Sequence, residues 1–495
     1  MADQTATSKD SEKKPRRRFR RARWITIGVL LAHVAGFFTS VHAIMSVRTP
    51  QGTIAWAMAL NTFPYVSVPA YWVFGRNGFQ GYVTLRQGED QKVETVTTSG
   101  RRNVRDYMVA LGEEQGEMQA LEALAKMPFT TGNRAELLID GDATFDSIFA
   151  GIDAAEEYVL VQFYIVKDDD LGRRLKDKLI ARAREGVRVY FLYDEIGSHN
   201  LPDSYGDELR AAGAEVSPFH STKGSGNRFQ LNFRNHRKIV VVDGNTAWVG
   251  GHNVGDEYLG LDPKFGHWRD THVKIEGPAV IATQVSFVED WHWATDSVPS
   301  LRWDVREDFV SEEGMPVLML ASGPADQVET AGLFFTHAIN SARRRVWIAS
   351  PYFVPDESVA AALRLAAMRG VEVRVLIPDN PDHYEVYLAA FSFLDKFKNT
   401  DIEIFRYTDG FLHEKVILVD DTVTAIGTAN LDNRSFRLNF EIMALFLDAE
   451  FAAEVERMFL DDFRRSRIME KDEYEKRSFL FRLAVRASRL LAPIL

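Results

Sequence analysis

Two stretches of the chain carry the same reactive side chains at the same spacing. Asn235 to Asn253 reads NHRKIVVVDGNTAWVGGHN, and Leu412 to Asn430 reads LHEKVILVDDTVTAIGTAN. Both contain His-x-Lys-x4-Asp: His236, Lys238 and Asp243 in the first, His413, Lys415 and Asp420 in the second. A glycine follows seven residues after each aspartate (Gly250, Gly427), and an asparagine three residues later (Asn253, Asn430). His, Lys and Asp are common singly. Five residue types at the same offsets, twice, are more than two ordinary strand–turn units give. The runs IVVVD and VILVD predict strands, in which His and Lys, two apart, point to one face. Each copy then presents an imidazole, an ammonium and an amide to a pocket, and pairing the copies doubles the set.

Such a pocket suits a phosphodiester. The lysines neutralise the non-bridging oxygens as charge builds up. One histidine attacks phosphorus and forms a phospho-histidine. The other protonates the leaving alcohol, then deprotonates the incoming one. Each imidazole needs an acceptor that sets its tautomer. Asp270 in WRDTHVKI and Glu441 in NFEIMALFL each precede a strand-like run and are the candidates. No metal or other cofactor is expected, because side chains supply the cations. The chain also has no cysteine and no His-Glu-x-x-His helix.

These residues must be held by a scaffold that is itself repeated. Tyr158–Val166 reads as a buried strand, Leu171–Arg184 as a helix closed by Gly186, and Val187–Tyr193 as the next strand. The order returns with Val346–Val354, Ser358–Arg369, Gly370 and Val371–Ile377. GVRVYFLYD from Gly186 answers GVEVRVLIPD from Gly370. Strand–helix–strand order implies α/β layers with parallel pairing in each half. The expected fold is two similar lobes, residues 131–310 and 311–470, each a mixed sheet flanked by helices, with the site between them. Residues 76–130 read as a polar connector with a helix-like run from Val104 to Lys126.

The N-terminus is of another kind. Residues 1–23 hold nine basic residues against three acidic ones, a charge of +6 that leaves −17 for the rest of a chain at −11. Trp24 to Val47 then has no Asp, Glu, Lys or Arg, and neither has Thr53 to Phe74. Each is long enough to cross a hydrocarbon core of about 30 Å. Pro64 and Pro69 are tolerable in a membrane span. The expectation is a basic cytoplasmic tail (1–23) and a two-helix membrane hairpin (24–75), with His33 and His42 pairing inside it or lying near its ends. A cleaved signal peptide fits less well, because the basic region is long and a second apolar stretch follows at once. The basic tail stays cytoplasmic by the positive-inside rule, and two spans return the lobes to that side. At the far end (471–495), Arg477–Leu491 reads as an amphipathic helix with Leu480, Leu483, Ala487 and Leu491 opposite Arg482, Arg486 and Arg489.

Composition narrows the function classes. Hydrophobic residues make up 46% of the 495, ordinary for a globular chain. The acidic balance outside the tail disfavours nucleic acid as a partner. An inert scaffold is disfavoured because neither triplet is degenerate. A lipid transferase and a lipid hydrolase of the same chemistry both remain open on the residues alone.

The duplicated motif resembles the phospholipase D superfamily over roughly Arg134 to Arg467. NHRKIVVVDGNTAWVGGHNVGDEYLG, GTANLDNRSFRLNFE and the segment RTPQGTIAWAMALNTFPYVSVPAYWVFGRN are similar to bacterial cardiolipin synthases in particular. That resemblance implies a phosphatidyltransferase of the bacterial inner membrane. One phosphatidylglycerol gives its phosphatidyl group to the enzyme, and a second takes it to form cardiolipin and glycerol. It makes both triplets catalytic and puts Asn253 and Asn430 at the substrate phosphate or its pocket. The partners implied are phosphatidylglycerol and anionic membrane lipids. One departure stands out: the small residue after the motif glycine is Gly251 in one copy and Thr428 in the other, and Gly251 has no hydroxyl to offer a phosphate. Phe353, Val354, Tyr384, Tyr387 and Phe391 are candidates for an apolar approach to the site. His267, His272, the Trp291–Trp293 cluster and Asp168–Asp170 read as structural.

Overall fold

The computed structural model describes residues 13–47, 50–75, 82, 98–110, 115–220, 223 and 232–494. The chain forms two compact units, Met1–Gly78 with Arg228–Asn232, and Phe79–Asn227 with Phe233–Leu495.

In the first unit, one helix runs from Lys13 to Ser46. The basic run from Lys13 is therefore the start of this helix and not a separate tail; residues 1–12 lie outside the described residues. Its segment Arg23–Ser46, with a mean hydropathy of 1.8, is the one helix among the described residues long and apolar enough to cross a bilayer. The expected second span is broken into pieces. Helix Pro50–Thr62 ends at Phe63, helix Pro64–Ala70 begins, and a wider turn, Tyr71–Gly75, follows. Pro64 has no N–H to continue the ladder, and its fixed φ suits a first helical position. The helices approach closely at Gly36, where a Cβ would fall 2.2 Å from the Leu60 carbonyl oxygen. His42 Nδ1 lies 2.8 Å from the Tyr71 hydroxyl, and His33 Nε2 lies 3.4 Å from that of Tyr65. Both histidines thus pair within this unit.

The second unit contains the repeat. The first lobe orders its sheet Thr130–Ile139, Thr271–Glu276, Thr246–Gly250, Ile239–Val242, Tyr158–Phe163, Arg188–Asp194, Glu215–Phe219. The second lobe orders the equivalent strands the same way: Met315–Ser322, Asn439–Leu447, Val423–Gly427, Val416–Val419, Arg345–Ala349, Glu372–Pro378, Glu403–Tyr407, with Ser466–Ile468 beyond. Three strands at the far edge of each lobe run parallel, as the strand–helix–strand order requires. The motif strands form antiparallel hairpins. The two sheets meet along their first strands, where Thr130 pairs with Val317 and Asn133 with Met315. One sheet therefore runs through both lobes.

The crossover helices sit where the periodicity put them. Asp170–Arg184 is capped by Asp169, which accepts from the Gly172 N–H, and Glu357–Met368 by Asp356, which accepts from Val359. Each then needs a left-handed residue to turn back, which Gly186 (φ 93°) and Gly370 (φ 83°) supply. On the other face, Ala279–Thr295 and Ala449–Arg464 cover a core built from the strands of both lobes. Trp291, His292 and Trp293 are buried in the first of these as packing. The connector helix is shorter than its sequence pattern. Arg105–Tyr107 is a single tight turn, the helix spans Gln115–Ala125, and Leu121 and Phe129 pack into the second lobe's core.

Candidate active site

The reactive segments sit just ahead of the motif strands, not inside them. His236 and Lys238 precede Ile239–Val242, and His413 and Lys415 precede Val416–Val419. Each segment is clamped by the opposite lobe. Arg234–Asn235 pairs in parallel with Asn439–Phe440, and the His236 N–H donates to the Phe440 carbonyl at 2.9 Å. Phe411–Leu412 pairs with Trp268–Arg269, and the His413 N–H donates to the Arg269 carbonyl at 2.8 Å. In each case the next residue on the clamping strand is the acid.

That register sets the imidazole contacts. Glu441 Oε2 lies 2.9 Å from His236 Nδ1, and Asp270 Oδ2 lies 2.7 Å from His413 Nδ1. Each histidine is paired with a carboxylate from the other lobe. A carboxylate acceptor puts the proton on Nδ1 and leaves the Nε2 lone pair available. Lys238 Nζ donates to the His236 carbonyl at 2.6 Å, and Lys415 Nζ donates to the His413 carbonyl and lies 3.0 Å from its Nδ1.

All four side chains are buried, and this shifts their titration. Loss of solvent is the largest cause at each. It pulls His236 down to about 4 against the Glu441 charge, with Lys238 and Lys415 adding to the fall. His413 is lowered well below its usual range by burial and then by Lys415 and Lys238. Burial also brings Lys415 down to about 8 and takes Lys238 well below the usual lysine value. Burial alone would raise Glu441, but His236, Lys238 and the Thr428 hydroxyl outweigh it and hold the carboxyl low. The resting site has neutral imidazoles in electropositive surroundings, which an anionic group would relieve.

His236 and His413 open onto one cavity of about 320 Å³, with Asn253 and Asn430 also in its wall. Asn253 is committed to the fold: Oδ1 accepts from the Ile165 N–H and Nδ2 donates to the Tyr258 hydroxyl, both at 3.0 Å. Asn430 keeps a buried Oδ1 with no partner among the described residues. Among the described residues no three His, Asp or Glu side chains are grouped as metal ligands.

The third motif residue does something else. Asp243 (φ 51°) and Asp420 (φ 52°) occupy the turn at the far end of each motif strand. The Asp243 carboxylate accepts the N–H groups of Glu156, Glu157 and Tyr158, each at 2.8 Å. Asp420 accepts those of Arg343, Arg344 and Arg345. They lie outside the cavity wall, about 13 Å from it along a four-residue strand. Both therefore leave the catalytic set: they tie the motif hairpin to the start of the neighbouring strand.

Gly251 and Thr428 answer the departure noted in the sequence. A Cβ at Gly251 would lie 2.0 Å from Asp270 Oδ1, so the acid fills the space of a side chain. Thr428 instead donates to Glu441 Oε2 at 2.6 Å. The position serves the carboxylate in both lobes. His267 pairs with Asp140 and His272 packs on His252, and neither reaches the cavity. Phe353, Val354 and Phe391 are core residues, so of the expected apolar approach only Tyr384 stays well exposed.

The sequence reading missed much of the wall: Tyr164, Trp268, Tyr352, Asp382, Arg234 and Arg434. Tyr164 and Tyr352 hold the seventh place of the two matched strand segments, a repeat that could have flagged them; the other four do not repeat at matched offsets. Arg237 and Glu414, inside the motif, were missed for the same reason. Arg237 pairs with Asp290 at 2.8 Å and Glu414 with Arg269 at 3.2 Å, fully buried beneath the two histidines.

A family model described as "Cardiolipin synthase, PLD-like domain" matches residues 148–289 and 335–463. One of phospholipase D–nuclease N-terminal segments matches residues 34–76. Two relatives named cardiolipin synthase A, from Pseudomonas putida strains W619 and GB-1, are 49% and 50% identical over 468 residues, covering 94% of this chain and 97% of theirs. A phosphatidylserine synthase of Haemophilus influenzae has a similar fold, with a TM-score of 0.60 at 16% identity over 77% of this chain and all of its own.

Proposed function

The chain belongs to the cardiolipin synthase family of phospholipase D-like proteins, and on that footing we propose that it joins two phosphatidylglycerol molecules into cardiolipin and glycerol. The observation that carries the reading is the crossed pairing of His236 with Glu441 and His413 with Asp270 at one cavity. It supports two imidazoles that act on a shared phosphorus from opposite lobes.

The steps balance on these groups. Nε2 of one histidine attacks the phosphorus of the first phosphatidylglycerol. The bond from phosphorus to the glycerol headgroup breaks, and the other histidine gives its Nε2 proton to the leaving oxygen. Before this step, binding of the anionic diester offsets the cationic surroundings that depress that imidazole, so its Nε2 takes up the proton from solvent. A glycerol hydroxyl of the second phosphatidylglycerol then attacks the phospho-histidine. Its proton goes to the second histidine, and the phosphorus–nitrogen bond breaks. Lys238 and Lys415 stabilise the charge on the equatorial oxygens. Asp270 and Glu441 hold each ring and offset its imidazolium.

The first unit supports a membrane location. It carries one apolar helix of membrane length, and on this reading the pieces from Pro50 to Gly75 serve as a second, kinked crossing. The basic N-terminus then keeps the lobes on the cytoplasmic side of the bacterial inner membrane. A membrane-impermeant reagent should reach cysteines placed on the lobes only after the cells are opened.

Purified protein with labelled phosphatidylglycerol is the test. Cardiolipin and glycerol should form in equal amounts, with and without a chelator, and phosphatidic acid should be minor. Phosphatidic acid as the main product would make the protein a phospholipase D with the same residues. Cleavage of DNA without lipid turnover would make it a nuclease.

A further inference from the structure

The C-terminal helix Phe479–Ser488 packs the wrong way round for a soluble protein. Its sequence presents Leu480, Leu483, Ala487 and Leu491 as one apolar face, and burying that face is what a soluble helix does. The structure buries a different side. Val485 is fully buried among Leu388, Phe391 and Tyr474, with Phe481 set edge-on to Phe391 at 5.2 Å. Two arginines pin the helix to the second lobe, Arg486 to Asp395 at 3.2 Å and Arg489 to Glu357 at 3.4 Å. The leucine face is left in solvent: Phe479 is 70% exposed, Leu480 73%, Leu483 54% and Leu490 81%. Arg482 is exposed on the side opposite Leu480.

Its position ties it to the active site. The helix rests on Tyr384–Leu394, through Leu388 and Phe391. The start of that same element, His383, Glu385 and Val386, lines the cavity that holds His236 and His413. The turn Arg489–Ile494 also packs against Asn433–Arg437, whose Arg434 lines the same cavity. Two elements of the cavity wall therefore carry the C-terminal helix and its exposed apolar face.

We propose that the helix Phe479–Ser488 and the turn after it form an interfacial element that sits in the surface of an anionic bilayer at the mouth of the active site. This rests on the phosphatidyl-transfer reading, which requires two-chain lipids to reach a buried pocket. Phe479, Leu480, Leu483 and Leu490 enter the upper acyl region, and Arg482 meets the phosphates. An exposed arginine on the outer side of the helix suits phosphatidylglycerol and cardiolipin, which are both anionic. The function is distinct from tethering. The apolar N-terminal helix keeps the protein at the membrane, whereas this face sets the cavity mouth against it.

The absence of cysteine makes a clean test possible. Leu480→Cys and Leu483→Cys in the full chain, each carrying an environment-sensitive fluorophore, are placed in phosphatidylglycerol vesicles. Glu450→Cys, an exposed position on the same lobe, is the reference. The first two should shift to the blue and be quenched by lipids brominated on the acyl chains, and the third should not. Water-like emission at both sites in vesicles overturns the proposal. So does a blue shift in detergent that grows with protein concentration, because a second copy of the chain is then the occupant. Leu480→Glu with Leu483→Glu should lower the rate on phosphatidylglycerol vesicles by tenfold or more and leave the rate on a soluble short-chain phosphatidylglycerol unchanged. Equal rates on vesicles also overturn it. A wild-type protein that inserts these probes but makes no cardiolipin would refute the transfer reading instead.

Discussion

Around His236 the neighbours are one aromatic ring and two arginines. Tyr164 lies 4.9 Å away ring to ring, Arg234 precedes by two residues, and Arg434 shares the cavity wall. Around His413 they are aromatic: Trp268 at 5.3 Å, Phe411 at 6.0 Å and Tyr258 at 6.4 Å. The acids are supported differently as well. Glu441 accepts from Thr428, Ser435 and Asn439, whereas Asp270 accepts from the backbone N–H of Thr271 and sits in the space that Gly251 leaves. Beneath the rings the charges are exchanged. Arg237 of the first motif meets Asp290, and Glu414 of the second meets Arg269, which also holds Asp462. Both copies keep the histidine–carboxylate pair and the backbone clamps that aim it. The material behind them is free to differ, provided each buried charge still finds its opposite.

If the two histidines act in one cycle, the difference in surroundings should not show when either is removed. His236→Ala and His413→Ala should each lower the rate by about a thousandfold or more, and the double variant should be little worse, since groups acting as a unit are not additive. A tenth of the wild-type rate surviving in either variant would break the equivalence.

Asp270→Asn and Glu441→Gln come next, at roughly a hundredfold to ten-thousandfold, the range for losing the acid that orients an imidazole. Because each acid serves the opposite lobe, Asp270→Asn combined with His413→Ala should cost little more than His413→Ala alone. The same should hold for Glu441→Gln with His236→Ala. Coupling of Asp270 to His236 instead, in such double-mutant cycles, would overturn the crossed assignment.

Titration separates chemistry from stability. Lys415, lowered to about 8 by burial, loses its charge in the free enzyme as pH rises through that value, so kcat/KM should fall there while kcat holds longer. Stability should move the other way over the same range. Between about 8 and the unfolded value near 10.4 the unfolded chain binds the extra proton, so folding gains as pH rises. At the acid end His236 is neutral in the fold down to about 4 but protonates near 6.5 when unfolded. Its contribution, on the order of 3 kcal/mol, is present above 6.5 and lost as pH falls towards 4. Thermal unfolding of His236→Gln across that range should show a shallower acid slope than wild type.

Asp243→Ala and Asp420→Ala should act on the fold, each by about 1–3 kcal/mol for stranded N–H groups. Asp243 is buried and Asp420 only partly so, which puts the larger loss in the first lobe. Activity per folded molecule should survive both. The smallest effect is expected of Thr428→Val, which removes one of the four side-chain donors to Glu441 and should cost a few-fold in rate at about 1 kcal/mol. A loss as large as that of Glu441→Gln would show that the hydroxyl meets the phosphate after all.

Much was legible in the chain because repetition and periodicity are local properties. The His-x-Lys spacing, the parallel strand–helix–strand units, Gly186 and Gly370 as helix ends, and the apolar helix from Arg23 to Ser46 all depend on neighbours a few residues apart. So does the identity of Asp270 as an acid ahead of a strand, whereas Glu441 stands inside the strand Asn439–Leu447. The sequence could not say which acid meets which histidine, because that contact spans 143 residues in one case and 205 in the other. It is set by two-residue parallel bridges between lobes, too short to leave a pattern. Nor could spacing tell that Asp243 and Asp420 turn away from the chemistry, since only the partner strand's N–H groups decide where a carboxylate at a left-handed turn points. The break at Pro64 in the second apolar stretch and the buried side of the C-terminal helix are of the same kind. Proline and leucine positions allowed several packings, and contacts with distant elements chose among them.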